Sequence, residues 1–277
     1  SLLGMELKMN LSDETDAFVL TKEYEWLRKR LNYVTASDVP TILNINKYKS
    51  PRTLAYEKIN KTSIDNKPSL AMRWGILLEP IVIRKFELVS GLTCVSRQYQ
   101  LTVSEKHEWL AASLDAVVVD GDEPYAVVNA KTSSGFAADR FGDDYFPEQY
   151  RAQLHAEMIV EGHDLAFLPV YIKPSEVTEF DIVSMEYMLS TFSADYIIRM
   201  LDDSGFTFRF YCVDKVQSYA DTIIEETRKF WYDYVLQGRL PEATSAKEAL
   251  ATTRAESAVE LSESEYEDIR RYHALKK

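Results

Sequence analysis

Two cysteines in 277 residues, Cys94 and Cys212, are too few and too far apart for a disulfide framework. Each sits in a strand-like run, so buried thiols in a reducing compartment are expected, and four-cysteine iron–sulfur chemistry is excluded. No apolar run reaches the ~20 residues that a membrane-spanning helix requires. The opening Ser1-Leu2-Leu3-Gly4-Met5 lacks the charged and apolar regions of a secretory signal. Residues 1–10 read as a vector-derived leader and a disordered start, and a cytoplasmic protein with no membrane partner is expected. No internal repeat is found. Positive charge is also scarce, and a net charge of −12 argues against nonspecific adhesion to nucleic acid. The deficit is uneven: Lys22 to Lys61 holds nine Lys/Arg against four Asp/Glu, with Arg28-Lys29-Arg30 just before Thr35-Ala36-Ser37-Asp38. Such a patch on an acidic body suits a protein that grips one strand end, although charge alone favours the plainer reading of a solvated face.

The length and a hydrophobic content of 46% fit one large domain or two small ones. The reading places a single domain at 11–240 and a helical extension at 241–277. Apolar spacing and capping residues predict helices at 12–31, from an N-cap at Ser37 to Leu43, and from Ser50-Pro51 to about Lys58. Further helices are expected at 69–90 closed by Gly91, at 148–161 closed by Gly162, at 214–237 and at 256–277. Strands are expected at 93–102, 109–120, 125–132, 165–172, 177–183 and 206–213. Ser133 to Pro147 reads as a long loop of the kind that serves a site. The sum is a mixed central sheet flanked by helices, α/β or α+β.

The chemistry concentrates in one hairpin. Residues 114–120 and 125–131 are β-branched runs separated by the turn cluster Gly121-Asp122-Glu123-Pro124. A turn centred near residue 122 sets Asp115 opposite Asn129. Alternation then puts Asn129 and Lys131 on one face and leaves Ala130 to offer its backbone carbonyl. Glu79, inside the helical stretch 72–80, can approach as a further carboxylate. Metal-assisted phosphodiester hydrolysis wants this arrangement. Mg2+ takes hard oxygen ligands, usually one or two carboxylates with waters and substrate phosphate, and a second ion can serve the leaving oxygen. Lys131 supplies a compact charge beside the attacking water. Position 129 is the anomaly, because an amide stands where a carboxylate is wanted.

Five stretches occur in a telling order: Arg30 to Asp38, Met72-Arg73-Trp74-Gly75 with Glu79, Leu110 to Asp115, Asn129-Ala130-Lys131-Thr132, and Pro147 with Tyr150, Gln153, Leu154 and His155. Together they resemble the motifs of the YqaJ-like viral recombinase family, over roughly residues 24–172. The resemblance implies a restriction-endonuclease-like core. It also implies a Mg2+-dependent exonuclease (Mn2+ substituting, two ions per site) that digests the 5′-ended strand of linear duplex DNA and leaves a 3′ overhang. A single-strand annealing protein would be its partner, and a homo-oligomeric ring, trimer or tetramer, its assembly. A phage or prophage origin in a bacterial cytoplasm goes with it. Carried over by residue, Arg30 and Ser37 would hold the 5′ phosphate. Asp115, position 129 and the Ala130 carbonyl would ligate metal with Glu79 in support, and Lys131 and Gln153 would orient the water.

Tyr150 shares a helix face with Gln153 and is a further possible DNA contact. His155 and His163 read as structural or solvated. The family pattern has Glu or Asp at 129. The intact surrounding motifs favour an engineered Asp→Asn that removes activity and leaves the DNA surface. A native asparagine in a noncatalytic end-binding or scaffold protein is the alternative, and an endonuclease or junction resolvase on the same core is another.

Overall fold

The computed structural model describes residues 25–62, 70–174 and 182–245. In chain order its elements are a helical segment at 25–30 (α1), β1 (Val34–Thr35), α2 (Val39–Ile42), α3 (Pro51–Asn60), α4 (Leu70–Ser90), β2 (Thr93–Ser96), β3 (Thr102–Val103), β4 (Leu110–Ala112), β5 (Ala116–Asp120), β6 (Glu123–Val128), β7 (Lys131–Ser133), α5 (Glu148–Glu161), β8 (Leu165–Ile172), α6 (Ile182–Thr191), α7 (Ala194–Asp203), β9 (Thr207–Asp214) and α8 (Gln217–Lys229). Short 3-10 turns at Ala36–Asp38 and Gly135–Arg140 precede α2 and α5.

The main sheet runs β2-β5-β6-β8-β9, with β7 continuing the line of β6 along β8. It is mixed: β6 and β7 lie parallel to β8, while the other pairs are antiparallel. Side chains alternate across it. Val117, Val127, Ala166, Leu168 and Val170 share a core cluster with Ala152, Ala156 and Met158 of α5. Ala116, Val118, Ala126, Val128 and Phe167 pack instead with Ile83 and Phe86 of α4. Both faces are therefore covered, which explains why β8 is apolar along its whole length. Each fully buried aliphatic side chain contributes on the order of 2 kcal/mol.

The hairpin register is the one the turn predicts. Ala116 pairs with Val128 and Val117 with Val127, and a bulge at Val118/Val119 brings the chain to Gly121 at φ +60°. The next pair outward is Asp115 opposite Asn129, where the ladder stops.

A second, small sheet fixes the N-terminal segment. β1 pairs parallel with β4 (Val34 to Leu110, Thr35 to Ala111), and β3 closes the other edge. Because β4 leads straight into Asp115, this pairing lays the Thr35–Ser37 turn beside the hairpin.

Several expectations need correction. The run 109–120 is two strands in different sheets, and so is 93–102, which is interrupted by Tyr99 in the left-handed region at φ +58°. The run 125–132 breaks at 129–130. Thr35, not Ser37, opens the turn into α2, because the Asp38 carboxylate accepts from both the Thr35 amide (2.8 Å) and the Thr35 hydroxyl (2.7 Å). Ser50 caps α3 as expected, accepting from the Thr53 amide at 3.1 Å, with Pro51 first in the helix. Helices α6 and α7 were not anticipated. Of the strand expected at 177–183, residues 177–181 lie outside the described residues and 182–183 open α6. α7 carries its own signals: Ser193 caps it, and Ile197, Ile198 and Leu201 bury one face. Arg84–Asp195 (2.8 Å) and Lys85–Asp202 (2.5 Å) then clamp it to α4. α8 is shorter than expected and ends in a π-helical turn, Phe230–Val235. Of the helix expected at 12–31, residues 25–30 are helical and 12–24 lie outside the described residues, as does the helix expected at 256–277. Cys94 is half-buried and packs against the α4 side of the core, while Cys212 is exposed, since alternate residues of β9 face outward, so the expectation of a core thiol fails at Cys212. Among the described residues no helix is long and apolar enough to cross a membrane.

Candidate active site

The site is built where strand β6 breaks. The Asn129 amide still donates to Phe167 O at 3.0 Å, but the Ala130 amide turns out of the ladder to the Asp115 Oδ2 at 2.7 Å. Pairing resumes at Lys131 with Val170. Asp115 is thus fixed by a backbone donor in the strand it faces.

Asn129 and Lys131 share the α5 side, as alternation requires. Lys131 Nζ lies 5.7 Å from the ring centroid of Tyr150, which is half-buried and stacked on Phe141. Asn129 Nδ2 donates to Glu157 Oε1 at 2.6 Å, and Gln153 Nε2 donates to the same oxygen at 2.9 Å. Tyr150, Gln153 and Glu157 recur at i, i+3 and i+7, which sets them on one helix face. On the other side of the sheet, α4 passes close over β7 at Gly75, where an added methyl would meet Thr132 Oγ1 at 3.7 Å. Glu79 follows one turn later.

Glu79, Asp115 and Gln153 share a cavity of about 160 Å3 with Arg30 and Ser37. Asn129 and Lys131 are outside that lining. Arg30 donates to Ser37 Oγ at 2.6 Å, and its guanidinium lies 4.5 Å from the centroid of Trp26. Trp26 is itself tied to Ser113 Oγ at 2.8 Å. Beneath this, the buried Lys58 bonds Asp38 Oδ2 at 2.7 Å and the Arg30 carbonyl at 3.0 Å. The guanidinium is therefore stacked and hydrogen-bonded, and the Arg30 backbone is held by Lys58. Its neighbours account for much of the basic patch: Lys49 pairs with Glu57 and Lys61 donates to the Leu31 carbonyl, while Arg28 and Lys29 are exposed.

Carboxyl groups crowd this place. Burial and then the Asp115 charge push Glu79 from 4.5 to about 8, with Lys131 opposing. The same two causes push Glu157 from 4.5 to about 8, against Lys131 and the bonds from Gln153 and Asn129. Burial raises Asp115 too, opposed by Lys131, the Ala130 amide and Arg30. An acid whose pKa is raised by folding destabilises the fold as pH climbs from its ordinary value to the raised one. Metal-free protein is therefore expected to lose thermal stability from pH 4.5 towards about 8, and added Mg2+ should return part of it at the alkaline end. A melting temperature that is flat over that range contradicts the crowding.

Two acceptor oxygens in this place, Asn129 Oδ1 and Glu157 Oε2, are buried with no hydrogen-bond partner among the described residues. Orphaned acceptors beside ionisable carboxyls fit a hard cation. Among the described residues no three His, Cys, Asp or Glu side chains converge tightly enough to enclose an ion unaided. A Mg2+ site needs fewer, since waters and substrate oxygens complete its octahedron.

Most of the anticipated residues come together: Asp115, Glu79, Gln153, Arg30 and Ser37 around the cavity, Asn129, Ala130 and Lys131 at the strand break that Asp115 faces, and Tyr150 on α5 near Lys131. Sequence reasoning missed Glu157, which is completely buried. Its spacing of four from Gln153 on a helix face was the available signal. His155 is structural as expected: Nδ1 is bonded to the Arg151 carbonyl at 2.9 Å and Nε2 accepts from the Val216 amide at 3.2 Å.

The mixed sheet covered by helices, with an aspartate and an x-x-Lys segment facing each other at a broken strand, is the fold of restriction-endonuclease-like exonucleases. The family model described as the YqaJ-like viral recombinase domain matches residues 25–164, and the chain belongs to this family. It is 26% identical over 259 residues to the uncharacterized protein YqaJ of Bacillus subtilis (strain 168), covering 91% of this chain and 71% of that protein. Among solved structures it is similar to the alkaline exonuclease LHK-Exo of Laribacter hongkongensis, with TM-score 0.55 and 17% identity, covering 85% of this chain and 100% of the other. The complex of LHK-Exo with dAMP matches over the same shares at TM-score 0.54.

Proposed function

We propose that this chain is a Mg2+-dependent exonuclease that degrades the 5′-ended strand of linear double-stranded DNA and leaves a 3′ overhang for phage-type homologous recombination. The observation that carries the reading is the shared cavity: an arginine–serine pair suited to a terminal phosphate opens onto the same space as Asp115, Glu79 and Gln153. The family and the exonuclease fold support it, as does dAMP on the neighbouring enzyme, a mononucleotide of the kind such a reaction releases.

In this reading Arg30 and Ser37 hold the terminal 5′ phosphate, and the rigid bracing of Arg30 by Trp26 and Lys58 sets where the next phosphodiester lies. Lys131 and Gln153 orient the attacking water. The water oxygen bonds to phosphorus as the P–O3′ bond breaks. The water gives up its proton, the departing oxygen takes one to become a 3′-hydroxyl, and the shortened strand keeps a new 5′ phosphate. Asp115, the Ala130 carbonyl and Glu79 would hold Mg2+, or Mn2+ in its place, with two ions per site, and the metal would supply an activated water and neutralise phosphate charge. Dependence on an end separates this reading from an endonuclease or junction resolvase. A homo-oligomeric ring, an annealing-protein partner and a phage or prophage origin in a bacterial cytoplasm belong to the same proposal.

Arg30→Ala is expected to lower the preference for 5′-phosphorylated over 5′-hydroxyl ends by about 10-fold or more, the weight of one or two charge-assisted hydrogen bonds. Steady-state rates on the two substrates check this. An unchanged ratio contradicts the phosphate role.

A further inference from the structure

We infer that Glu157 supplies the metal-binding carboxylate that position 129 lacks, so that Asn129 and Glu157 form a native exchanged pair and the site is competent. This rests on the nuclease reading. It also revises the expectation of an inactivating substitution at 129.

The geometry makes the exchange. Asn129 Nδ2 meets Glu157 Oε1 at 2.6 Å, so the amide and the carboxylate occupy one small volume, reached from the broken strand and from α5 respectively. A carboxylate at 129 facing a glutamine at 157 would have the same atoms, the same hydrogen bond in the opposite sense and the same net charge. Glu157 is at 0% exposure, and an isolated carboxylate there would be costly without a partner. Two donors, Asn129 and Gln153, converge on Oε1 and fix the carboxylate plane. The other oxygen, Oε2, is buried with no donor among the described residues, and Asn129 Oδ1 is in the same condition. Two orphaned hard oxygens, one bearing formal charge, at the strand break that also carries Asp115 and the Ala130 carbonyl, are what an octahedral cation would use. Gln153 then positions Glu157 besides facing the cavity, which ties the fourth and fifth motifs into one network.

An Asn129→Asp change made to a damaged site would repair it. Made to an exchanged pair, it sets two carboxylates against each other. The experiment compares the unaltered chain with Asn129→Asp, Glu157→Gln and the double exchange Asn129→Asp/Glu157→Gln. Mn2+ binding is measured by calorimetry and by the Mn2+-induced shift in melting temperature, and cleavage is measured on end-labelled linear duplex. The unaltered chain should bind Mn2+. Glu157→Gln should weaken that binding by at least about 100-fold, the upper end of what losing an outer-shell partner costs, while melting no lower than the parent in EDTA. The double exchange should regain both binding and cleavage, which a purely structural role for Glu157 would not produce. Asn129→Asp alone should melt below the parent in EDTA. Unchanged Mn2+ affinity in Glu157→Gln overturns the proposal, and so does Mn2+ binding or cleavage that appears only in Asn129→Asp. If Mn2+ binding follows Glu157 but no version cleaves, the nuclease reading fails and the ligand assignment stands. Misfolding of Glu157→Gln is recognised by its melting curve, and the double exchange then decides alone, its failure to bind Mn2+ overturning the assignment.

Discussion

Lys131→Ala is expected to reduce cleavage of linear duplex by about 1000-fold or more, with the fold and the binding of DNA ends retained. Removing one preorganised donor aimed at developing charge lowers turnover by about 100- to 1000-fold, and Lys131 does more than donate. Its charge opposes the upward shifts of Glu79, Asp115 and Glu157 together. Without it the carboxyls hold their protons more tightly, and metal affinity near neutrality should fall as well. Folding should suffer little. Lys131 is half-buried at the first position of a three-residue strand, and its ammonium lies 5.7 Å from the Tyr150 ring centroid, so a change within about 1 kcal/mol is expected. Single-turnover cleavage with a parallel melting curve checks both parts. Full activity in a folded variant removes Lys131 from the chemistry.

The second large effect concerns the buried ion pair beneath Arg30 and Ser37. Lys58→Met is expected to destabilise the protein by about 3–5 kcal/mol, the usual result of stripping one partner from a buried ion pair. The side chains of Lys58 and Asp38 are only 4% and 15% exposed. Burial alone pushes the Asp38 carboxyl up, but the Lys58 ammonium, Arg30 and the Thr35 amide bring it below its ordinary 3.8. A depressed acid contributes stability that is present above its unfolded pKa and is lost as pH falls through the folded one. The stability gap between parent and variant should therefore be widest near neutrality and narrow below about pH 4. Denaturant titrations at pH 7 and pH 3.5 test this. Because Lys58 also holds the Arg30 carbonyl, the variant should lose part of its preference for 5′-phosphorylated ends. If Lys58→Met costs as much in an Asp38→Asn background as in the parent, the pair is not what Lys58 stabilises.

The hairpin was legible because its information is local. The turn cluster at 121–124 fixes the register, and strand periodicity puts Asn129 and Lys131 on one face. The break at 129–130 was not, since it arises when the Ala130 amide takes a carboxylate 15 residues away in place of a ladder carbonyl. Propensity carries no trace of that competition. The pairing of Lys58 with Asp38 depends on α3 folding back on the turn, and a run of basic residues reads the same whether its members face water or a buried acid. Ser37 lines the cavity but does not cap the helix, because the Thr35 amide and hydroxyl, both bonded to the Asp38 carboxylate, set the turn one residue pair earlier. Glu157 escaped notice because an acid between Ala156 and Met158 looks like any helical glutamate until its burial and its partner are known. Asn129 reads as a lesion in the sequence for the complementary reason, since only the fold brings Glu157 within hydrogen-bonding distance of it.

The most direct test is incubation of the unaltered chain in Mg2+ with duplex DNA labelled at both 5′ ends, alongside a covalently closed circle of the same sequence. The account predicts release of labelled mononucleotides from the linear duplex, progressive 3′ overhangs and an intact circle. Stable binding to the ends with no release of label, or nicking of the circle at a comparable rate, would contradict it.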